Sequence, residues 1–280
     1  MNVLSTEQLK LVKELELLLD FGYSKISNGH FDLKMRSRKT VLFMMTGVVQ
    51  SYSGAVLSLL KNGQTNGAEV LLRPIVETFI NLNYIFIYGS EKNALRFIFE
   101  DEYDRRKLGN KIKKFLEKYP TYKTNFDHMD TPADWDKYIK ERNKSIKKLN
   151  TINKRKYGEE LKELPSLYDR AVAVDNDNIA RTGKLKNSLE WWYVTMYWLF
   201  SGITHITPRE MNGFIKREDT GGYTFITDGN LNSVERVAIT TFTLYYEFLR
   251  LMAKQFKLFP LVELIPFKKV IKDLRHKSAN

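Results

Sequence analysis

The sequence predicts an all-α protein: a multi-helix bundle of about seven to eight helices, with one small β-hairpin between the last two long helices. Three observations carry that prediction. Ala68–Tyr88 and Ser188–Ile206 are apolar almost all the way round at helical period, the pattern of buried helices. Val41–Leu60 runs for twenty residues without a charge. The one convincing β signal is FIKREDTGGYTFIT (Phe214–Thr227), two β-branched and aromatic arms about Thr220-Gly221-Gly222. No internal repeat or low-complexity linker divides the 280 residues, so 1–280 reads as a single helical domain.

The elements follow in order. Ser5, with Gln8 three residues on, is a capping-box signature that opens a helix to about Phe21. Ser27–Asp32 is a loop. A helix from about Lys39 to Lys61 ends at Asn62-Gly63, where glycine can take the left-handed conformation. Its charge-free stretch is long enough to span a bilayer. Thr46, Gln50, Ser51, Ser53 and Ser58 argue against a membrane span and for a central core helix. The short connection then folds Ala68–Tyr88 back as an antiparallel neighbour, with a local kink at Pro74.

A further helix covers about Glu91–Lys118 and stops before Pro120. Thr131, Pro132 and Asp134 supply the start of the next, to about Lys156. Leu164–Val174 is a short helix, followed by a loop. After Ser188–Ile206 and the hairpin, Asn232 with Glu235 caps a last long helix over about Ser233–Lys257. The tail packs and then frays into a basic end.

Composition narrows the chemistry. Hydrophobic residues make up 43% and aromatic residues 13% of the chain, which is globular. With no cysteine and four histidines, neither a thiolate zinc site nor a thiol nucleophile exists, and no metal or cofactor is expected. The N-terminus lacks the features of a signal peptide, so a cytoplasmic location is expected. Walker, GxGxxG, HExxH and GxSxG motifs are absent.

The net charge is +12, and 104–163 contributes +8 of it, from 18 Lys/Arg against 10 Asp/Glu. Aromatic residues are interleaved there, from Phe115 to Tyr157. Cations for phosphates and rings for bases suit RNA or another nucleic acid, with 105–157 as the contacting stretch. Within the domain, 105–183 reads as a basic helical excursion.

Two polar lines interrupt the two most apolar helices. Glu69, Arg73, Glu77 and Asn81 recur at i, i+4, as do Tyr193, Tyr197, Ser201 and His205, so each set shares one helix face. A buried charge needs a partner, and Arg73 is placed to fork between Glu69 and Glu77. If the two helices are neighbours, Arg73, Glu77, Tyr197 and His205 converge.

The run LKNGQTNGAEVLLRPIVE (Leu60–Glu77), followed by YxxxSxxxH (Tyr197–His205), resembles a family of uncharacterised bacterial helical proteins. That family carries an R-xxx-E helix and a later S-xxx-H helix, and several members sit among phage-defence genes. The basic stretch Arg105–Gly183 lies outside the resemblance. More remotely, such bundles resemble the HEPN superfamily, many of whose members are metal-independent ribonucleases. The superfamily's Arg and His stand four to six residues apart on one helix; here Arg73 and His205 would have to meet in space.

The resemblance implies an RNA-cleaving or RNA-binding effector of a defence or toxin system, with homodimerisation. His205 would be the acid/base, Arg73 the phosphate clamp and Glu77 its orienter. Tyr197, Ser201, Glu69 and Asn81 would be secondary. Two alternatives use the same residues: a non-catalytic interaction protein with a closed structural network, and a sensor of a nucleotide or small acidic ligand.

Overall fold

A computed structural model describes residues 4–31, 33, 37–88, 91–123, 134–184, 188–197, 215–217, 221, 223–225 and 233–277. These hold nine α-helical segments: α1 Thr6–Ser27, α2 Arg38–Lys61, α3 Thr65–Asn83, α4 Glu91–Lys118, α5 Trp135–Tyr157, α6 Leu167–Thr182, α7 Leu189–Trp191, α8 Ser233–Phe256 and α9 Ile265–Lys277. π-helical turns over Tyr84–Tyr88 and Trp192–Tyr197 extend α3 and α7. By internal contacts the chain divides into two units. One comprises Met1–Leu33, Leu42–Tyr84 and Leu167–Asn280; the other comprises Lys34–Val41 and Ile85–Ser166.

The first unit is built on α8, which packs against both α1 and α3. Its Phe242, Tyr245 and Phe248 are among the largest fully buried side chains. From α1, Leu11, Leu15, Leu18 and Leu19 supply the apolar stripe. Gly22 of the same helix lets the Tyr245 ring approach: a Cβ there would lie 2.8 Å from a ring carbon. The Tyr245 hydroxyl donates to Gln50 of α2, and burial pushes its phenol well above the ordinary value. The Phe21 ring meets Phe259 and Phe267 at 5.2 and 5.4 Å, which ties the C-terminal segment to α1.

The second unit is a helical hairpin. Glu102 accepts from Arg142 and Ser145, Arg106 donates to Asn143, and Lys113 pairs with Asp136 at 2.6 Å. As the number rises along α4 it falls along α5, so the helices are antiparallel. Leu95, Phe99, Leu149 and Leu161 form the core, flanked by Ile98, Ile146, Ile152 and Tyr157. At Gly109 the helices come close: a Cβ would sit 3.2 Å from Tyr138 and Ile139.

The local end signals were legible. Ser5 and Gln8 form the reciprocal capping box, and Gly63 is left-handed at φ 71°. Asp134, expected as an acid in the first turn of a helix opening at Thr131-Pro132, is instead the N-cap of α5 and accepts from the Lys137 amide. The Thr131, Pro132 and Asn232 signals lie outside the described residues.

Several expectations are corrected. The architecture is all-helical, and a β-hairpin over 214–227 is not supported as a component of it. Among the described residues of that span, Ile215–Arg217 and Tyr223–Phe225 pair antiparallel over three residues each. So short a pairing, with no third strand among the described residues, does not make a sheet. The helical segments among the described residues number nine rather than seven or eight, because Ile265–Lys277 of the tail is helical. Helix α6 also runs through 175–182, expected as loop, because Ala171 and Val174 anchor its buried face.

Nor is α2 a central core helix. It buries Leu42, Met45, Val49, Val56 and Leu60 on one side and exposes Phe43, Met44, Val48 and Tyr52 on the other. By length and composition it could cross a membrane. Its packed side bonds to α8 through Thr46, whose hydroxyl lies 3.3 Å from the Met252 sulfur. A charge-free run cannot reveal that only one face is covered.

Candidate functional site

The i, i+4 line on α3 runs about 18 Å along the helix, and its members meet different fates. Glu69 is buried and pairs with Arg236 of α8, which also donates to Ser233. The expected fork of Arg73 onto Glu69 is therefore corrected, since Glu69 turns to Arg236. Asn81, also buried, accepts from Arg170 of α6. Both contacts close polar groups that would cost free energy if left alone in the core.

Arg73 is half-buried and turns to Tyr197. Its Nη2 donates to the phenol oxygen at 3.3 Å, and its guanidinium carbon lies 5.2 Å from the ring centroid. Glu77, one turn further on, is exposed. Tyr197 belongs to a row of rings. It stacks on Tyr193 at 5.0 Å and 18° between planes, and Tyr193 meets Tyr168 of α6 at 5.4 Å. The Tyr168 hydroxyl donates to Glu190 at 2.7 Å, and that carboxylate holds the Tyr168 phenol above its ordinary value.

The row stands where it does because α7 is clamped at its start. Asp175 of α6, buried, accepts from the Ser188 hydroxyl and from the amides of Leu189 and Glu190, at 2.7 to 3.0 Å. Ser188 in turn accepts from the Trp191 amide, completing the N-cap. Beyond Trp191 the winding becomes π-helical through Tyr197.

This arrangement unites a half-exposed guanidinium with a row of partly exposed rings. Such a pair can hold an oxyanion while a planar group stacks alongside. Among the described residues no group of three His, Cys, Asp or Glu could hold a metal ion. Ser201 and His205 lie outside the described residues. Sequence reasoning missed Arg236, Arg170, Tyr168 and Asp175. No local signal marks them, because each acts across 13 to 167 positions of chain.

A family model described as "Family of unknown function (DUF5677)" matches residues 39–223. The match runs through the basic stretch 105–183, so that stretch belongs to the family region and is not outside it as the motif resemblance alone implies. No curated protein and no solved structure matches the chain.

Proposed function

The chain belongs to the family of unknown function DUF5677, and from that premise we propose that it is an RNA-acting effector with metal-independent cleavage of the HEPN type. One observation carries this reading: the half-exposed Arg73 guanidinium held on Tyr197 at the end of the row Tyr168, Tyr193, Tyr197. A phosphate oxygen is the natural guest of an oriented guanidinium, and unpaired bases stack on rings.

In the proposed step the RNA 2′-hydroxyl loses its proton and attacks the adjacent phosphorus. A 2′,3′-cyclic phosphate forms, and the 5′-oxygen leaves with a proton. Arg73 stabilises the phosphorane charge, an electrostatic role that needs a fixed donor. Tyr197 orients it, with the Glu77 carboxylate one turn away as a second orienting group. His205 moves the proton, as an imidazole can near neutral pH. Ser201 is a secondary hydrogen-bonding group. Glu69 and Asn81, each buried against an arginine of another helix, belong to the scaffold. The setting is bacterial phage defence or a toxin system, in the cytoplasm.

The test is cleavage of end-labelled RNA by purified protein in EDTA, beside His205→Ala and Arg73→Ala variants. The expected result is cleavage by the wild type alone, with cyclic-phosphate ends and unchanged melting of both variants. Intact RNA with the wild type overturns the cleavage reading. Equal cutting by both variants would move the chemistry to other residues.

A further inference from the structure

Helix α5 has two opposed faces. Inward, Ile139, Ile146, Leu149 and Asn153 pack towards α4. Outward, Lys137, Lys140, Lys144, Lys147, Lys148 and Lys154 are all exposed. At about 100° per residue these six fall within an arc of about 120°, and they extend about 26 Å along the axis. Asp136, Thr151 and Arg155 are the other exposed side chains in that arc, and Glu141 flanks it.

A merely solvated helix face mixes signs, and α4 does so. Its Arg105 pairs with Asp101, Lys107 with Asp104 and Lys113 with Glu117, each three or four residues apart. None of the six α5 lysines is in an ion pair among the described residues. Like charges one turn apart repel, so this row destabilises the free helix slightly and would gain from an anion. Along one edge of the row lies a groove of about 360 Å³ lined by Asn143, Ile146, Lys147, Asn150, Thr151 and Lys154, with Glu160 also at its wall.

We infer that the outward face of α5 docks the phosphate backbone of single-stranded RNA. The lysines are point charges suited to a chain of phosphates without sequence readout. The amide and hydroxyl groups between them suit sugar hydroxyls. A membrane surface would call for apolar side chains beside the cations, and the arc has none. At the hairpin end where Lys113 meets Asp136, the rings of Phe115, Tyr119 and Tyr122 cluster at 40 to 48% exposure, open to unpaired bases. The inference takes RNA from the proposed function and does not depend on cleavage.

The experiment is binding of a fluorescein-labelled 20-nucleotide RNA by anisotropy, across a series of salt concentrations. The full chain is compared with Lys140→Gln/Lys144→Gln/Lys147→Gln/Lys154→Gln and with an off-hairpin control, Lys10→Gln/Lys254→Gln/Lys268→Gln/Lys269→Gln. Single strands give about 0.7 of slope per phosphate contact. The α5 variant should therefore lose about 3 from the log–log salt slope and bind on the order of 100-fold more weakly near 0.15 M salt. The control should keep the wild-type slope.

Equal loss in both variants, or none in the α5 variant, overturns the inference. So does wild-type binding to phosphatidylserine vesicles with none to RNA. RNA binding with the expected slope but no cutting retires the cleavage reading and leaves this one standing.

Discussion

In the unit built on α8, three buried polar side chains reach across helices: Glu69 to Arg236, Asn81 to Arg170, Asp175 to the start of α7. In the α4–α5 hairpin the polar contacts sit mostly at the surface, as with Lys92–Glu159 and Lys113–Asp136, over a small core around Leu95, Phe99, Leu149 and Leu161. The difference is one of desolvation. A buried donor left without its acceptor costs about 1–3 kcal/mol, whereas an exposed ion pair is worth at most about 1 kcal/mol. The first unit therefore relies on a few contacts that are each hard to lose. The hairpin relies on many that are each dispensable.

The largest test of that contrast removes core volume from each unit in turn. Phe242→Ala should cost about 3–5 kcal/mol, read as a lower denaturation midpoint and lost amide protection in α1, α3 and α8. Leu149→Ala should cost about 2–3 kcal/mol and strip protection from α4 and α5 while α8 keeps its own. Equal loss of protection in both units for either variant would show that they unfold as one.

A smaller effect is expected from Asp175→Asn. The amide retains one acceptor oxygen for three donors, so about 1–2 kcal/mol should go. Proteolysis should quicken between 188 and 197, and the Arg73–Tyr197 contact should loosen. If stability falls but RNA binding by the Arg73 site is untouched, the α7 clamp is scaffold alone.

The smallest effect belongs to the hairpin surface. The hydrogen bond from Lys92 holds the Glu159 carboxyl below its ordinary value of 4.5. Its contribution is then fully present above that value and is lost as pH falls through the lower folded-state value. Wild type and Glu159→Gln should differ slightly in melting temperature at neutral pH and converge in acid. A gap that persists at low pH would mean the glutamate acts through packing rather than charge.

What was legible in the sequence was local. Ser5 with Gln8, and Gly63, announced helix ends because the groups they bond lie within a few residues. The helical class followed from apolar periodicity. The meeting of Arg73 with Tyr197 followed from the two polar lines, but the other partners of the α3 line were not legible, because Arg236 and Arg170 stand 167 and 89 residues from Glu69 and Asn81 and only packing selects them. The two-sided character of α2 was hidden for a related reason. Hydrophobicity reports what a helix tolerates, and neighbours decide which face they cover.

The π-helical winding of Trp192–Tyr197 has a consequence for chain length. A π turn holds about one residue more than an α turn, so removing one residue there restores ordinary winding to the turn. Deleting Val194, which is 53% exposed, would bring Tyr193 and Tyr197 from four positions apart to three and break their stacking at little expense to the core. A single deletion could thus dismantle the ring row while sparing the fold, which makes this turn a site where length, more than residue identity, decides what the protein can bind.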